Sequence, residues 1–218
     1  VCFTTSHFAA QSIIEDYGVP PERVEVVDSG CNIAIPSTIK TPCSAPRKVL
    51  FLGVEWERKG GNILLEAMQI VRREFPDALL DVVGCDGPNN IPGVRFRGRV
   101  PRNEVSSYLM ANDIMCLPSF AEPSAAALVE ASAYGLPVVS TKVGGTPERV
   151  MDGETGLLVE PGNVSDLADA LLGLMRDPEL ARRFGVSGRD QVVKRFTWSA
   201  VASKIKRRIK KELDARPV

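Results

Sequence analysis

From Lys48 onward, short apolar runs alternate with amphipathic helical patterns, and this alternation restricts the fold more than any other feature of the chain. "KVLFLG" runs apolar without interruption into Gly53, the pattern of a strand buried on both faces. A helix is expected from Gly61 to Glu74, because Ile63, Leu64, Ala67, Met68 and Val71 recur at helical spacing on one side. "LLDVVG", "VRFRG", "DIMCLPS", "PVVST" and "TGLLVE" read as further strands. Helices are expected from about Asn103 to Ala111, from Ala125 to Ala133, and after an Asn163 cap, with two more from Pro178 to Phe196 and Ser199 to Leu213. Upstream, "VCFTTS" and "RVEVVDSG" read as strands. They flank a helix that starts at Ser6, carries Phe8, Ile13 and Tyr17, and closes at Gly18. Residues Ile33 to Ala45 read as a polar loop. Strands alternating with helices across short connections imply an α/β fold: a Rossmann-like parallel sheet with helices on both faces.

In such a sheet ligands gather beyond the carboxyl ends of the strands. The chemistry is therefore expected in the loops "VEWERKGG", "CDGPNN", "RVPRN", "FAEPSA" and "KVGGTP". In the first, Arg58 and Lys59 precede Gly60 and Gly61 at a helix entrance, and cations beside exposed backbone N–H groups suit a diphosphate. In the fourth, Ser124, Ala125 and Ala126 offer small side chains at another helix N-terminus, where a ligand can approach the amides. Glu130 falls ~9 Å further along that helix, about the distance from a diphosphate to a ribose diol, whose hydroxyls a carboxylate accepts. The plainer alternative for Glu130 is a partly buried acid satisfied by a cap or by water. Glu122, in the loop itself, would face a sugar on the other side of the phosphates.

Other chemistries find less support. The 27 basic and 27 acidic residues balance, which removes any global argument for nucleic acid or a membrane surface. No apolar run approaches the ~20 residues of a membrane span. Cys2, Cys31, Cys43, Cys85 and Cys116 are scattered with no Cys-x-x-Cys, and read as buried reduced thiols of a cytoplasmic protein. His7 is the only histidine and sits at a helix start, so a Ser-His-Asp triad is not expected. There is no Asp-x-Asp triplet, "DGE" at Asp152 to Glu154 reads as a turn, and no metal site is expected.

Taken in order, "YGVPPERVEVVDSG", "VLFLGVEWERKGGNILLEAM", "RFRGRVPRNEV", "EPSAAALVE" and "YGLPVVSTKVGGTPERVMDGETGLLVEPG" resemble the C-terminal, donor-binding domain of a retaining glycosyltransferase of the GT-B fold, glycosyltransferase family 4, often called group 1. The resemblance covers essentially the whole chain, and "EPSAAALVE" matches the family's Glu-x7-Glu signature. It implies that Lys59 serves the diphosphate, Glu122 is the acid near the donor hexose, and Glu130 is the acid on the nucleotide ribose. It further implies phosphate and sugar contacts at Ser124 to Ala126, and a base near Gly98 to Val100. Two positions depart from the family pattern. Val54 stands where arginine is frequent, so Arg58 is the candidate replacement. Ser124-Ala125 replaces a usual Phe-Gly.

The implied function is transfer of a sugar, with retention, from a UDP-, GDP- or ADP-sugar to an acceptor held mainly by a separate N-terminal domain, without a metal. Residues 1–218 are expected to form one nucleotide-sugar-binding domain, with a terminal helix over 197–218 packing toward that other domain. Val1 opens directly on a strand pattern, so a longer polypeptide is expected upstream, and the isolated chain is expected to bind donor but not to transfer. Any peripheral membrane contact would come through the missing domain. Two alternatives share the fold: a sugar-nucleotide epimerase and a nucleotide-binding module without activity. A dinucleotide oxidoreductase would need Gly-x-Gly-x-x-Gly after an early strand, whereas "VVGCDGPNN" holds only Gly84 and Gly87.

Overall fold

A computed structural model describes residues 1–39, 43–88 and 90–214. Residues 40–42 of the expected polar loop, Asn89 of "CDGPNN" and the last four residues of the expected terminal helix lie outside them. In chain order the elements are β1 (Cys2–Thr4), α1 (His7–Glu15), β2 (Val24–Val26), β3 (Lys48–Leu52), α2 (Gly61–Glu74), β4 (Leu79–Val83), β5 (Val94–Phe96), α3 (Val105–Ala111), β6 (Ile114–Leu117), α4 (Ala126–Ala133), β7 (Val138–Thr141), β8 (Gly156–Val159), α5 (Val164–Arg176), α6 (Pro178–Arg195) and α7 (Trp198–Asp214).

Six strands form one parallel sheet in the order β5-β4-β3-β6-β7-β8. The apolar runs explain it. Val49, Leu50, Phe51, Ile114, Met115, Cys116 and Leu117 are all wholly buried, so the central strands need cover on both faces. Helices α2 and α5 pack on each other, as do α4 and α6. Right-handed crossovers place the two pairs on opposite faces, because the chain leaves β3 toward β4 but leaves β6 toward β7. The strand order reverses between β3 and β6, and a crevice opens beyond their carboxyl ends at such a switch point. β3 pairs with β4 through five residues, Lys48↔Leu79 to Leu52↔Val83, but with β6 only through Val49↔Ile114 and Leu50↔Met115.

The caps form as read. Ser6 Oγ accepts from Ala9 N at 3.1 Å, and Asn163 Oδ1 from Asp166 N at 3.0 Å. Three expectations need correction. β1 and β2 pair only with each other, in a separate two-stranded parallel sheet. Each is three residues long and mostly part-exposed, without the two apolar faces that the central sheet demands. α1 stops at Glu15, and Tyr17 lies beyond it, exposed, before Gly18 turns at φ 64°. Cys31, Cys85 and Cys116 are buried thiols, but Cys2 and Cys43 are exposed. Among the described residues no helix is long and apolar enough to cross a membrane, and no cluster of His, Cys, Asp or Glu has the form of a metal site.

Candidate functional site

A cleft of about 480 Å³ lies where β3, β4 and β6 end. Leu52, Gly53, Val54 and Lys59 line it from the β3 side, Val83 and Gly84 from β4, Arg99, Val100, Arg102 and Val105 from the segment after β5, and Ala127 and Glu130 from α4. Its size and mixed lining suit a small polar ligand.

The loop from β3 to α2 folds back under Trp56. That indole packs against Phe51 and Phe96 with centroids 5.2 and 5.4 Å away, and its Nε1 donates to Asn62 Oδ1 at 2.8 Å. Gly61 is glycine because a Cβ there would run into the Trp56 ring. The amides of Gly60 and Gly61 donate to the carbonyls of Glu57 (3.1 Å) and Trp56 (2.9 Å). The expectation that these two N–H groups are exposed to an anion therefore fails: the turn consumes them. What the loop presents is Lys59. Its stem crosses over Gly53, and its ammonium donates to Glu122 Oε2 at 2.8 Å. Arg58 points elsewhere. It binds the Ala121 carbonyl and Glu55, stands 3.9 Å from Glu122, and does not line the cleft.

Glu122 is only 7% exposed and ties three pieces together. One carboxylate oxygen takes Lys59, the other accepts Ala125 N at 3.1 Å, and its carbonyl accepts Gly145 N at 2.9 Å. Ala125 sits at φ 49°, ψ 42°, in the left-handed region that an L-residue enters at a cost of about 1–2 kcal/mol. This turn starts α4. The amides of Ala126 and Ala127, the first two of the helix, have no partner among the described residues, and Ala127 borders the cleft. One turn on, Glu130 is half-buried in the cleft wall and has neither hydrogen bond nor ion pair among the described residues. Burial pushes its carboxyl above the usual range, and the nearby Arg102 charge pulls the other way.

Of the expected residues, the structure brings Lys59, Val100 and Glu130 to the cleft wall. Glu122 stands behind Lys59, and Ser124 and Ala125 lie in the turn beneath. Gly98, at φ 63°, gives its carbonyl to Gly84 N at 2.8 Å and shapes the wall rather than lining it. Arg99 and Arg102 lie in the expected "RVPRN" loop but were not singled out as side chains; the basic run "RGRVPR" after a strand was their signal.

A family model described as "Glycosyl transferases group 1" matches residues 46–177. Among curated proteins, the chain is 31% identical over 221 residues to D-inositol 3-phosphate glycosyltransferase of Corynebacterium diphtheriae, covering 88% of this chain and 52% of that one. It is 34% identical over 194 residues to phosphatidyl-myo-inositol mannosyltransferase of Mycobacterium leprae, covering 83% and 52%. The chain thus spans about half the length of these relatives. Among solved structures, sucrose-phosphate synthase from Thermosynechococcus elongatus superposes with a TM-score of 0.77 at 25% identity, over 98% of this chain and 58% of that one. Anabaena HepE, in complex with UDP and glucose, gives a TM-score of 0.81 at 21% identity, over 96% and 62%. The six-stranded sheet with its switch point is thus the fold of the GT-B glycosyltransferases, and the chain belongs to the group 1 glycosyl transferases.

Proposed function

We propose that this chain is the donor-binding half of a retaining glycosyltransferase and takes a nucleoside diphosphate sugar in the cleft between β3 and β6. One observation carries the reading. Among the described residues, the same short helix offers two amides without a partner at its start and, one turn later, a carboxylate without a hydrogen bond facing the cleft. Amides at a helix N-terminus suit a phosphate, and a carboxylate suits a diol. Lys59 supplies the cation between them, Glu130 takes the ribose, and the base lies along Arg99 and Val100. Arg58 belongs to the loop's support rather than to the ligand, since Glu55 and Ala121 already hold it. Glu122 faces the sugar once a diphosphate draws Lys59 toward itself. Stabilisation of the leaving diphosphate then comes from Lys59 and the α4 amides, with no metal required. Retention rests on the family resemblance. The acceptor belongs to the half of the relatives' length that this chain does not span. α7 is the element proposed to pack toward that half. The cytoplasm as working place fits five free cysteines.

Calorimetric titration with UDP, GDP and ADP tests the reading. The chain is expected to bind at least one. Lys59→Ala should weaken binding by about 1.5–3 kcal/mol, the range for hydrogen bonds to charged groups. Glu130→Gln should bring ribo- and 2′-deoxyribonucleotide affinities together. Binding of none of the three by the wild-type chain would overturn the proposal, and undiminished affinity in Lys59→Ala would remove that loop from the site. A second expectation concerns turnover. The chain alone should bind donor yet transfer almost nothing, because acceptor orientation is worth roughly 7–11 kcal/mol of barrier lowering. Mass spectrometry of products with and without an upstream acceptor domain decides this, and efficient transfer by residues 1–218 alone would show that the acceptor binds here.

A further inference from the structure

The largest wholly buried side chain in the described structure is charged. Arg149 follows the 3-10 turn after β7, and its side chain is 0% exposed. It does not line the cleft, yet its guanidinium reaches four parts of the fold. Nη1 donates to Asp28 Oδ1 at 2.9 Å, and Nη2 donates to the Thr5 carbonyl. Nε donates to the Ser124 carbonyl at 3.2 Å, and the plane lies over the Phe196 ring, 4.6 Å from its centroid. Asp28 is itself buried and also receives Arg195 and Lys204. A buried ion pair is a weak device for stability, since apolar residues of similar volume serve as well. What a guanidinium does well is fix geometry, through several donors in one rigid plane.

The geometry it fixes is one peptide. The Ser124 carbonyl and the Ala125 N–H belong to the same peptide group. Arg149 holds the oxygen, and the Glu122 carboxylate holds the N–H. Rotation of that peptide is therefore blocked from both sides. The next residue is Ala125, at φ 49°, where alanine does not stay unless its surroundings keep it. Releasing the peptide would let Ala125 relax and reorient the first amides of α4, of which Ala127 borders the cleft. We infer that Arg149 is a positioning residue for the anion-binding end of α4: it clamps the Ser124–Ala125 peptide so that the first amides of the helix face the ligand. This rests on the donor-binding reading above.

The test uses the full chain, with UDP, GDP or ADP, whichever the wild type binds most tightly. Arg149→Lys keeps the charge opposite Asp28 but loses the fork, and should weaken nucleotide binding about tenfold. Ala125→Gly is then made in both backgrounds. Glycine occupies the left-handed region freely, so it should recover affinity where the clamp is lost. It is expected to raise affinity at least threefold more in Arg149→Lys than in the wild-type chain, a coupling that a merely structural arginine would not produce. If Arg149→Lys does not fold by circular dichroism, Phe196→Leu takes its place, removing the ring beneath the guanidinium while keeping every charge. It should weaken binding about threefold, with the same dependence on residue 125. Equal effects of Ala125→Gly in both backgrounds, or full affinity in the clamp variant, would sink the clamp alone. A wild-type chain that binds none of the three nucleotides would sink the donor reading and the clamp with it.

Discussion

Replacing Asp28 with alanine is expected to cost about 3–5 kcal/mol of stability, the range for removing one partner of a buried ion pair. Among the described residues its carboxylate is the ion-pair partner shared by Arg149, Arg195 and Lys204, and Arg149 has no exposure through which water could replace it. Against a total of about 5–15 kcal/mol for an ordinary domain, this is a large share. Asp28 also sits at φ 68°, so alanine adds left-handed strain that aspartate tolerates better. Asp28→Gly separates the two contributions, because glycine removes the charge without the strain. Urea unfolding of the three proteins is the measurement, and an alanine variant within about 1 kcal/mol of wild type would mean that the cations find other partners. The same residue sets an acid limit. Burial alone would raise its carboxyl, but hydrogen bonds from Arg195 and Lys204 outweigh that and hold it below the ordinary 3.8. With the folded pKa below the unfolded one, its stabilisation is present above pH 3.8 and is lost as pH falls through the folded value.

Gly60→Ala should be nearly as damaging, at about 2–5 kcal/mol, from overpacking and a left-handed backbone together. Gly60 stands at φ 72° as the cap of α2, and a Cβ there would overlap the Pro118 carbonyl oxygen. Pro118 begins the loop after β6, so the clash falls where the two loops of the cleft meet. Loss of stability should therefore come with loss of nucleotide affinity in whatever fraction remains folded. An alanine variant with an unchanged urea midpoint would show that the two loops part easily.

The sheet was legible because a parallel strand covered on both faces leaves a run such as "KVLFLG" or "DIMCLPS" that few other structures explain. The place of Glu130 on the cleft wall was legible for a related reason: its offset from the loop is set mainly by the single helix that carries it. Pairings between distant segments were not. Nothing in the spacing joins Asp28 to Arg149 across 121 positions, or Lys59 to Glu122 across 63. Such pairs follow from which loops the strand order brings together. Loop hydrogen bonding was hidden as well. "KGG" at a helix entrance reads as a set of free amides, and only the fold of the turn under Trp56 shows that its own carbonyls take them.

The two residue pairs that join β3 to β6 have a kinetic consequence. β3 to β5 and β6 to β8 are each contiguous in the chain, and each can zip its strands across short connections. Val49 must instead find Ile114, 65 positions away, and closing so long a loop is slow. The join between the two halves is therefore expected to close after the contacts within each half, an order that φ-values at Val49 and Ile114 would check. The cleft spans that same join, with Lys59 on one half and Glu130 on the other. No partly assembled chain has a complete cleft, so on the proposed reading nucleotide capture is expected only once the sheet has closed. An occupant that grips both halves acts as a staple on the last seam to form, and reopening the seam must first release it.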